Sequence, residues 1–124
     1  VRLEIFVTDL ERSTAFYTEV LGFTIDAGSD GDYRELSGHD TRIALQPLAN
    51  LGTDHPLRRP GPLGLGLELV LEVANLEDLF EHVLQRWPVE TGLQERPWGR
   101  VDFRVLDPDG YYWRPTQPPP TSRS

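Results

Sequence analysis

A chain of 124 residues and 14.1 kDa has room for one domain, or for two very small halves that share a core. Lys and Arg number 12 and Asp and Glu 20, so the formal charge of −8 disfavours phosphate backbones and anionic membrane surfaces, and neither nucleic acid nor membrane is an expected partner. The lack of cysteine excludes disulfide frameworks, thiol nucleophiles and cysteine-held zinc or iron, and no apolar run nears the ~20 residues of a membrane span. No basic-then-apolar leader opens the sequence, so a cytoplasmic location is the expectation. The 11 Gly and 11 Pro point to many short elements joined by tight turns.

In chain order, Leu3, Ile5 and Val7 alternate with polar residues and predict a half-buried strand. Leu10, Ser13, Phe16, Tyr17, Val20 and Leu21 then fall at helical spacing. Thr8 with Glu11 reads as a capping box, and Gly22 as the helix stop. Three short strands are predicted next, at Phe23–Ala27, Tyr33–Leu36 and Arg42–Leu48, with turns at Gly28–Gly31 and Ser37–Asp40. A Pro/Gly-rich stretch, residues 49–65, reads as a linker.

The pattern then repeats. Val73-Ala74-Asn75-Leu76-Glu77 resembles Val7-Thr8-Asp9-Leu10-Glu11 at an offset of 66 residues. Leu67, Leu69, Leu71 and Val73 alternate ahead of it, and Leu76, Leu79, Phe80, Val83, Leu84 and Trp87 follow at helical spacing, with Asn75 as the N-cap and Pro88 as the stop. Strands at Val89–Gln94, Val101–Leu106 and Tyr111–Thr116 complete the copy, the last two joined by the strong turn signal Asp107-Pro108-Asp109-Gly110. The chain thus reads as an α+β protein of two tandem βαβββ modules, 1–48 and 66–117, forming a cupped mixed sheet, with a loose tail at 118–124.

One helix covers one face of each four-stranded sheet, which leaves the other face free to line a cup. Alternation assigns Arg2, Glu4, Phe6, Arg42, Ala44 and Gln46 to that face in the first module. In the second it assigns Glu68, Val70, Glu72, Asp102, Arg104, Tyr112 and Arg114. Phe6, Trp98 and Tyr112 offer stacking surfaces. The mixed charges suit either polar ligand recognition or cross-strand pairing. The three histidines, His39, His55 and His82, fall in a turn, the linker and a helix, with no ligand spacing between them. No HExxH, GxSxG or phosphate-loop motif is present, and Glu68 and Glu72 stand four residues apart on one strand, roughly 13 Å, too far to chelate.

Two stretches resemble the vicinal oxygen chelate superfamily, which includes glyoxalases, extradiol dioxygenases and bleomycin resistance proteins. The first is Phe6-Val7-Thr8-Asp9-Leu10-Glu11-Arg12-Ser13 through Phe16-Tyr17-Thr18-Glu19-Val20-Leu21-Gly22-Phe23, similar to the family's opening motif. The second is Arg96-Pro97-Trp98-Gly99-Arg100 with Phe103-Arg104-Val105 and Asp107-Pro108-Asp109-Gly110, similar to its closing motif and most to the bleomycin-resistance branch. The resemblance implies the tandem βαβββ fold and a homodimer. It also implies metal-ligand positions that fall here on Arg2, Ala44, Glu68 and Arg114, of which Glu68 alone is a usable ligand. The expected function is therefore binding of an antibiotic-like small molecule with neither metal nor cofactor. A metal-dependent lyase, isomerase or dioxygenase is the alternative. The expected ligand is a small polar or cationic molecule held by Glu68, Glu72 and Asp102, and the opposite polarity, a carboxylate or phosphate clamped by Arg2, Arg104 and Arg114, stays open.

Overall fold

The computed structural model describes residues 1–58 and 61–119, and the expected loose tail lies outside them from residue 120 on. The first sheet contains β1 (Leu3–Val7), β2 (Thr24–Ile25), β3 (Arg34–Gly38) and β4 (Thr41–Pro47) in the order β1-β4-β3-β2. The second contains β5 (Glu68–Glu72), β6 (Thr91–Glu95), β7 (Val101–Leu106) and β8 (Tyr112–Thr116) in the order β5-β8-β7-β6. In each, the first strand runs parallel to the last and the other pairs are antiparallel. Helices α1 (Leu10–Ala15) and α2 (Leu76–Leu84) follow β1 and β5, so the α+β, twice-repeated βαβββ order is present.

The repeat offset survives in the pairing. Leu3 faces Ile43 as Leu69 faces Trp113, and Glu4 faces Ala44 as Val70 faces Arg114. The two sheets bury matching faces: Ile5, Val7, Leu36, Ile43 and Leu45 in one, Leu69, Leu71, Phe103, Val105 and Trp113 in the other, all in one apolar cluster. Ala44 is buried as well, between Glu4 and Glu35 of the neighbouring strands. None of the helices is long and apolar enough to cross a membrane among the described residues.

Local details depart from the sequence expectation in several places. Thr8 does not cap α1. The Asp9 side chain accepts from the Arg12 N–H at 3.1 Å, and the Thr8 hydroxyl donates instead to Asp109 of the β7–β8 turn. Beyond Ala15 the helix widens into a π-helical segment, Phe16–Val20, with Leu21 N–H donating to the Phe16 carbonyl at 3.1 Å. The hydroxyls of Thr14 and Thr18 bond back to the carbonyls of Leu10 and Thr14, a competition that loosens the regular ladder. Asn75 holds the N-cap position of α2 without a side-chain hydrogen bond, and Leu84 is exposed although it fits the apolar spacing. Strand β2 is cut to two residues, and β6 begins at Thr91, not at Val89.

A buried polar strut joins the two halves. The Tyr17 hydroxyl donates to Asp107 Oδ2 at 2.7 Å and accepts from Trp113 Nε1 at 2.9 Å. Asp107 Oδ1 accepts from the N–H groups of Asp109 and Tyr111, which shapes the Asp-Pro-Asp-Gly turn read from the sequence. Around the strut, Tyr17 meets Phe16, Phe23 and Trp113 edge-on.

Candidate functional site

With the helical sides joined by this strut, the two charged sheet faces form separate groups. Glu4 is the hub of the first. It pairs with Arg2 at 2.9 Å, accepts from the Tyr33 hydroxyl at 2.8 Å and from Gln46 Nε2 at 3.3 Å. Arg2 also reaches Glu35 at 3.8 Å, and Asn50 steadies Gln46. Beside Glu4 opens a cleft of about 600 Å³, within the usual range of small-molecule sites. Its walls are largely apolar: Phe6 and Tyr111 on one side, Leu48, Leu57, Leu63 and Leu67 on the other. The Tyr111 hydroxyl donates to the Phe6 carbonyl at 2.9 Å, and Gly64 lies so close to Tyr111 that a Cβ there would meet the ring at 2.7 Å. The stretch read as a linker thus walls the cleft. Burial and the carboxylates of Asp107 and Asp109 push the Tyr111 hydroxyl up to about 12, so it is a hydrogen-bond donor at any physiological pH.

The second group centres on Asp102, which is fully buried on β7. Its Oδ1 receives Arg96 through Nε and Nη2, both at 2.9 Å, with Arg104 Nη1 at 3.6 Å, and its Oδ2 accepts from Arg114 Nη1 at 3.3 Å. Glu68 accepts from Arg104 Nε and Arg114 Nε, one on each oxygen, both at 3.1 Å. Burial pushes the Asp102 carboxyl up, but the hydrogen bonds from Arg96 and Arg114 and the charges of Arg96 and Arg104 together outweigh it and hold it below the ordinary carboxylate value. Burial works against the Arg104 charge too, and there the Glu68 hydrogen bond and the charges of Glu68 and Asp102 together outweigh it and raise its pKa. Tyr112 stands at the margin, its hydroxyl donating to Glu90 at 2.8 Å.

Of the residues singled out in the sequence, Arg2, Glu4 and Gln46 therefore join one network, with Phe6 in the adjoining cleft. Glu68, Asp102, Arg104 and Arg114 join the other. Among the described residues Glu72 is paired with Arg100 alone, at 3.9 Å, and Trp98 is 62% exposed in the β6–β7 turn. Among the described residues, no hydrogen bond or ion pair links one network to the other. Sequence reading missed Arg96, Tyr33 and Glu35. Arg96 had a signal: Gln94 pairs with Asp102 across the β6–β7 hairpin, which returns the next residues of that strand to the Asp102 neighbourhood.

A metal does not fit these residues. At the four positions implied by the resemblance, Arg2 and Arg114 are guanidinium groups, Ala44 has no donor atom, and both oxygens of Glu68 are occupied by arginine. Among the described residues there is no group of three His, Asp or Glu side chains able to hold an ion.

Known proteins share this architecture. The chain is 29% identical over 113 residues to a bleomycin resistance protein of Geobacillus stearothermophilus, covering 83% of this chain and 84% of that one. A protein of unknown function from Agrobacterium tumefaciens superposes with a TM-score of 0.78 at 24% identity, over 96% of this chain and 93% of the other. A glyoxalase/bleomycin resistance protein/dioxygenase family enzyme from Burkholderia phytofirmans does so with a TM-score of 0.77 at 17% identity, over 94% and 95%. The fold is common to the two solved structures, and residues 1–114, which reach into β8, match the model of one family: the chain belongs to the Glyoxalase/Bleomycin resistance protein/Dioxygenase superfamily.

Proposed function

We propose that this protein binds an antibiotic-like small molecule without a metal and does so as a homodimer. The observation that carries the reading is the pairing of an apolar cleft of about 600 Å³ with the Glu4 carboxylate at its edge, on a scaffold where guanidinium groups hold two of the four implied metal-ligand positions. Phe6 and Tyr111 supply aromatic surface, and Glu4 supplies a carboxylate whose present partner, Arg2, is 55% exposed and would be displaced by a cationic group of the ligand. Membership of a superfamily that includes a bleomycin resistance protein of similar length makes a bleomycin-type glycopeptide the first ligand to test.

Support for the dimer comes from what one chain leaves open. β1 and β5 are edge strands with unpaired backbone on one side. Val70 within β5 and Leu67 just ahead of it are about half exposed, at 49% and 51%. The ion-pair network of the first face sets two carboxylates around Arg2, with Arg42 outside it, and that of the second sets three arginines around two carboxylates, which favours pairing of the first network with a partner's second. Light scattering should give twice the 14.1 kDa chain mass at micromolar concentration, and the chain mass itself would refute the dimer.

Calorimetric titration with bleomycin tests the binding. Affinity should be micromolar or tighter. Glu4→Gln should weaken it roughly tenfold, the loss of a charge-assisted contact of about 1.5–3 kcal/mol. An absence of heat with the unmodified protein, or equal affinity in the variant, would overturn the assignment.

A further inference from the structure

We infer that Arg104 and Arg114 form a subsite for an oxyanion, the carboxylate or phosphate group of a small organic molecule, on the face of the second sheet opposite α2. This reverses the polarity that the overall charge of −8 suggests. It rests on the binding function proposed above only in so far as the anion belongs to that ligand. The subsite itself lies within one sheet.

Three observations carry it. First, the carboxylates on this face are taken. Both oxygens of Glu68 accept from arginine, and both oxygens of the fully buried Asp102 are contacted by arginine. An incoming cation would have to break an existing pair and leave a half-buried guanidinium uncompensated. Glu90 is the nearest further carboxylate, and it accepts from the hydroxyls of Thr91 and Tyr112 rather than from arginine. Glu72, at the far end of β5, belongs to Arg100.

Second, the guanidinium donors outnumber their acceptors. A guanidinium carries five N–H bonds. Arg104 hydrogen-bonds to Glu68 through Nε and faces Asp102 through Nη1 at 3.6 Å, and Arg114 hydrogen-bonds to its partners through Nε and Nη1. Among the described residues, Arg96 Nη2 is the one arginine nitrogen sealed from solvent without a hydrogen bond, so the nitrogens of Arg104 and Arg114 that make no hydrogen bond are not sealed off in that way. Arg96 completes a cluster in which three guanidinium groups are paired with two carboxylates, while Glu90 acts on Arg104 through its charge without a hydrogen bond to it.

Third, the donors are held in place. The side chains of Arg104 and Arg114 are only 18% and 19% exposed, and each is fixed by Glu68 from β5 and by Asp102 from β7. Long arginine side chains normally lose rotamer freedom when they grip a ligand, and here that ordering is already in the fold. Planar guanidinium groups match a carboxylate or phosphate edge with two parallel hydrogen bonds. Glu68 and Asp102 are thus positioning residues and Arg104 and Arg114 the contacts.

The test uses inorganic phosphate and citrate as separate probes, titrated into the unmodified protein at constant ionic strength, with heat and the ¹⁵N signals of the arginine Nε–H groups recorded. Saturable binding that shifts the Arg104 and Arg114 Nε–H signals, and leaves that of the exposed Arg12 in place, is the expected result. Response to phosphate alone assigns a phosphate site, to citrate alone a carboxylate site, and to both a general oxyanion site. Arg114→Gln should raise the dissociation constant tenfold or more, and Arg12→Gln should not change it. The Nε–H shifts need no variant, so a misfolded Arg114→Gln leaves the test intact. Absence of saturable change with either anion, or equal shifts with chloride, would overturn the inference. A failed bleomycin titration beside a positive anion response would remove the proposed function and leave the subsite standing.

Discussion

Replacing Tyr17 by Phe removes one oxygen atom from the middle of the molecule. The ring is fully buried and keeps its edge contacts with Phe16, Phe23 and Trp113, so packing is nearly unchanged. Two hydrogen bonds disappear, the donation to Asp107 Oδ2 at 2.7 Å and the acceptance from Trp113 Nε1 at 2.9 Å. Trp113 is buried too, so its N–H is left without a partner, at about 1–3 kcal/mol, and Asp107 keeps only its turn contacts on Oδ1. The expected loss is about 3 kcal/mol in urea unfolding, which for a chain of this size lowers the melting temperature by roughly 10 °C. Tyr33→Phe is the matched control. Its hydroxyl also serves a carboxylate, Glu4, but in an exposed setting, and should cost under about 1 kcal/mol.

The pH dependence carries a sign. Burial raises the Asp107 carboxyl above its ordinary value of 3.8, partly offset by the hydrogen bonds from Tyr17 and the turn. A raised folded-state value means that the group favours folding fully below 3.8 and that this advantage is lost as pH climbs through the raised value. Without the Tyr17 hydroxyl the folded value rises further. The gap between Tyr17→Phe and the unmodified protein should therefore be widest near pH 7 and narrow towards pH 4. A loss below about 1 kcal/mol, or a gap that widens with acid, would refute the strut as described.

Asp102→Asn takes the central negative charge from Arg96, Arg104 and Arg114, and breaking a buried ion cluster from one side should cost about 3 kcal/mol by chemical denaturation. Because the folded Asp102 carboxyl lies below its ordinary 3.8, its stabilisation is present above that value and is lost as pH falls through the lower folded value, a loss on the acid limb that the Asn variant should lack. Gly64→Ala should cost about 2 kcal/mol, since φ is +75° there and the new Cβ would stand 2.7 Å from the Tyr111 ring and 3.1 Å from its Cα. Gly66→Ala, with φ +78° and open space around it, should cost about half as much in the same denaturation assay.

Much of the fold was legible because its signals are local. Alternation over Leu3–Val7 and Leu69–Val73, helical spacing after each, and turn residues between strands all act within a few positions. The offset of 66 residues then tied the two halves together, and the strand register keeps it. The errors arose where a distant partner won. Thr8 has the right neighbours for a capping box, yet its hydroxyl and N–H go to Asp109, 101 residues away. The widened helix over Phe16–Val20 has no periodic signal of its own, because Phe16, Tyr17 and Val20 are inward at either pitch.

The site was legible by face and illegible by pairing, and this difference decides the polarity of what binds. Alternation put Glu68, Asp102, Arg104 and Arg114 on one surface. Which carboxylate is spent on which arginine depends on lateral neighbours from β5, β7 and β8, and on Arg96 arriving from a hairpin. Whole-molecule charge is a poor guide at that scale. A charge of −8 steers cations from a distance, but at physiological salt its field decays over about 8 Å, so the donors within contact distance choose the ligand group. On the second sheet those donors are guanidinium nitrogens left over after two carboxylates are satisfied. On the first they are largely tied up with Glu4 and Glu35, and the adjoining cleft offers a carboxylate edge with aromatic and aliphatic walls. A ligand that uses both faces would carry a cation and an oxyanion at opposite ends. The two ends then answer to different substitutions: Glu4→Gln weakens the grip on the cationic end, and Arg114→Gln the grip on the anionic end.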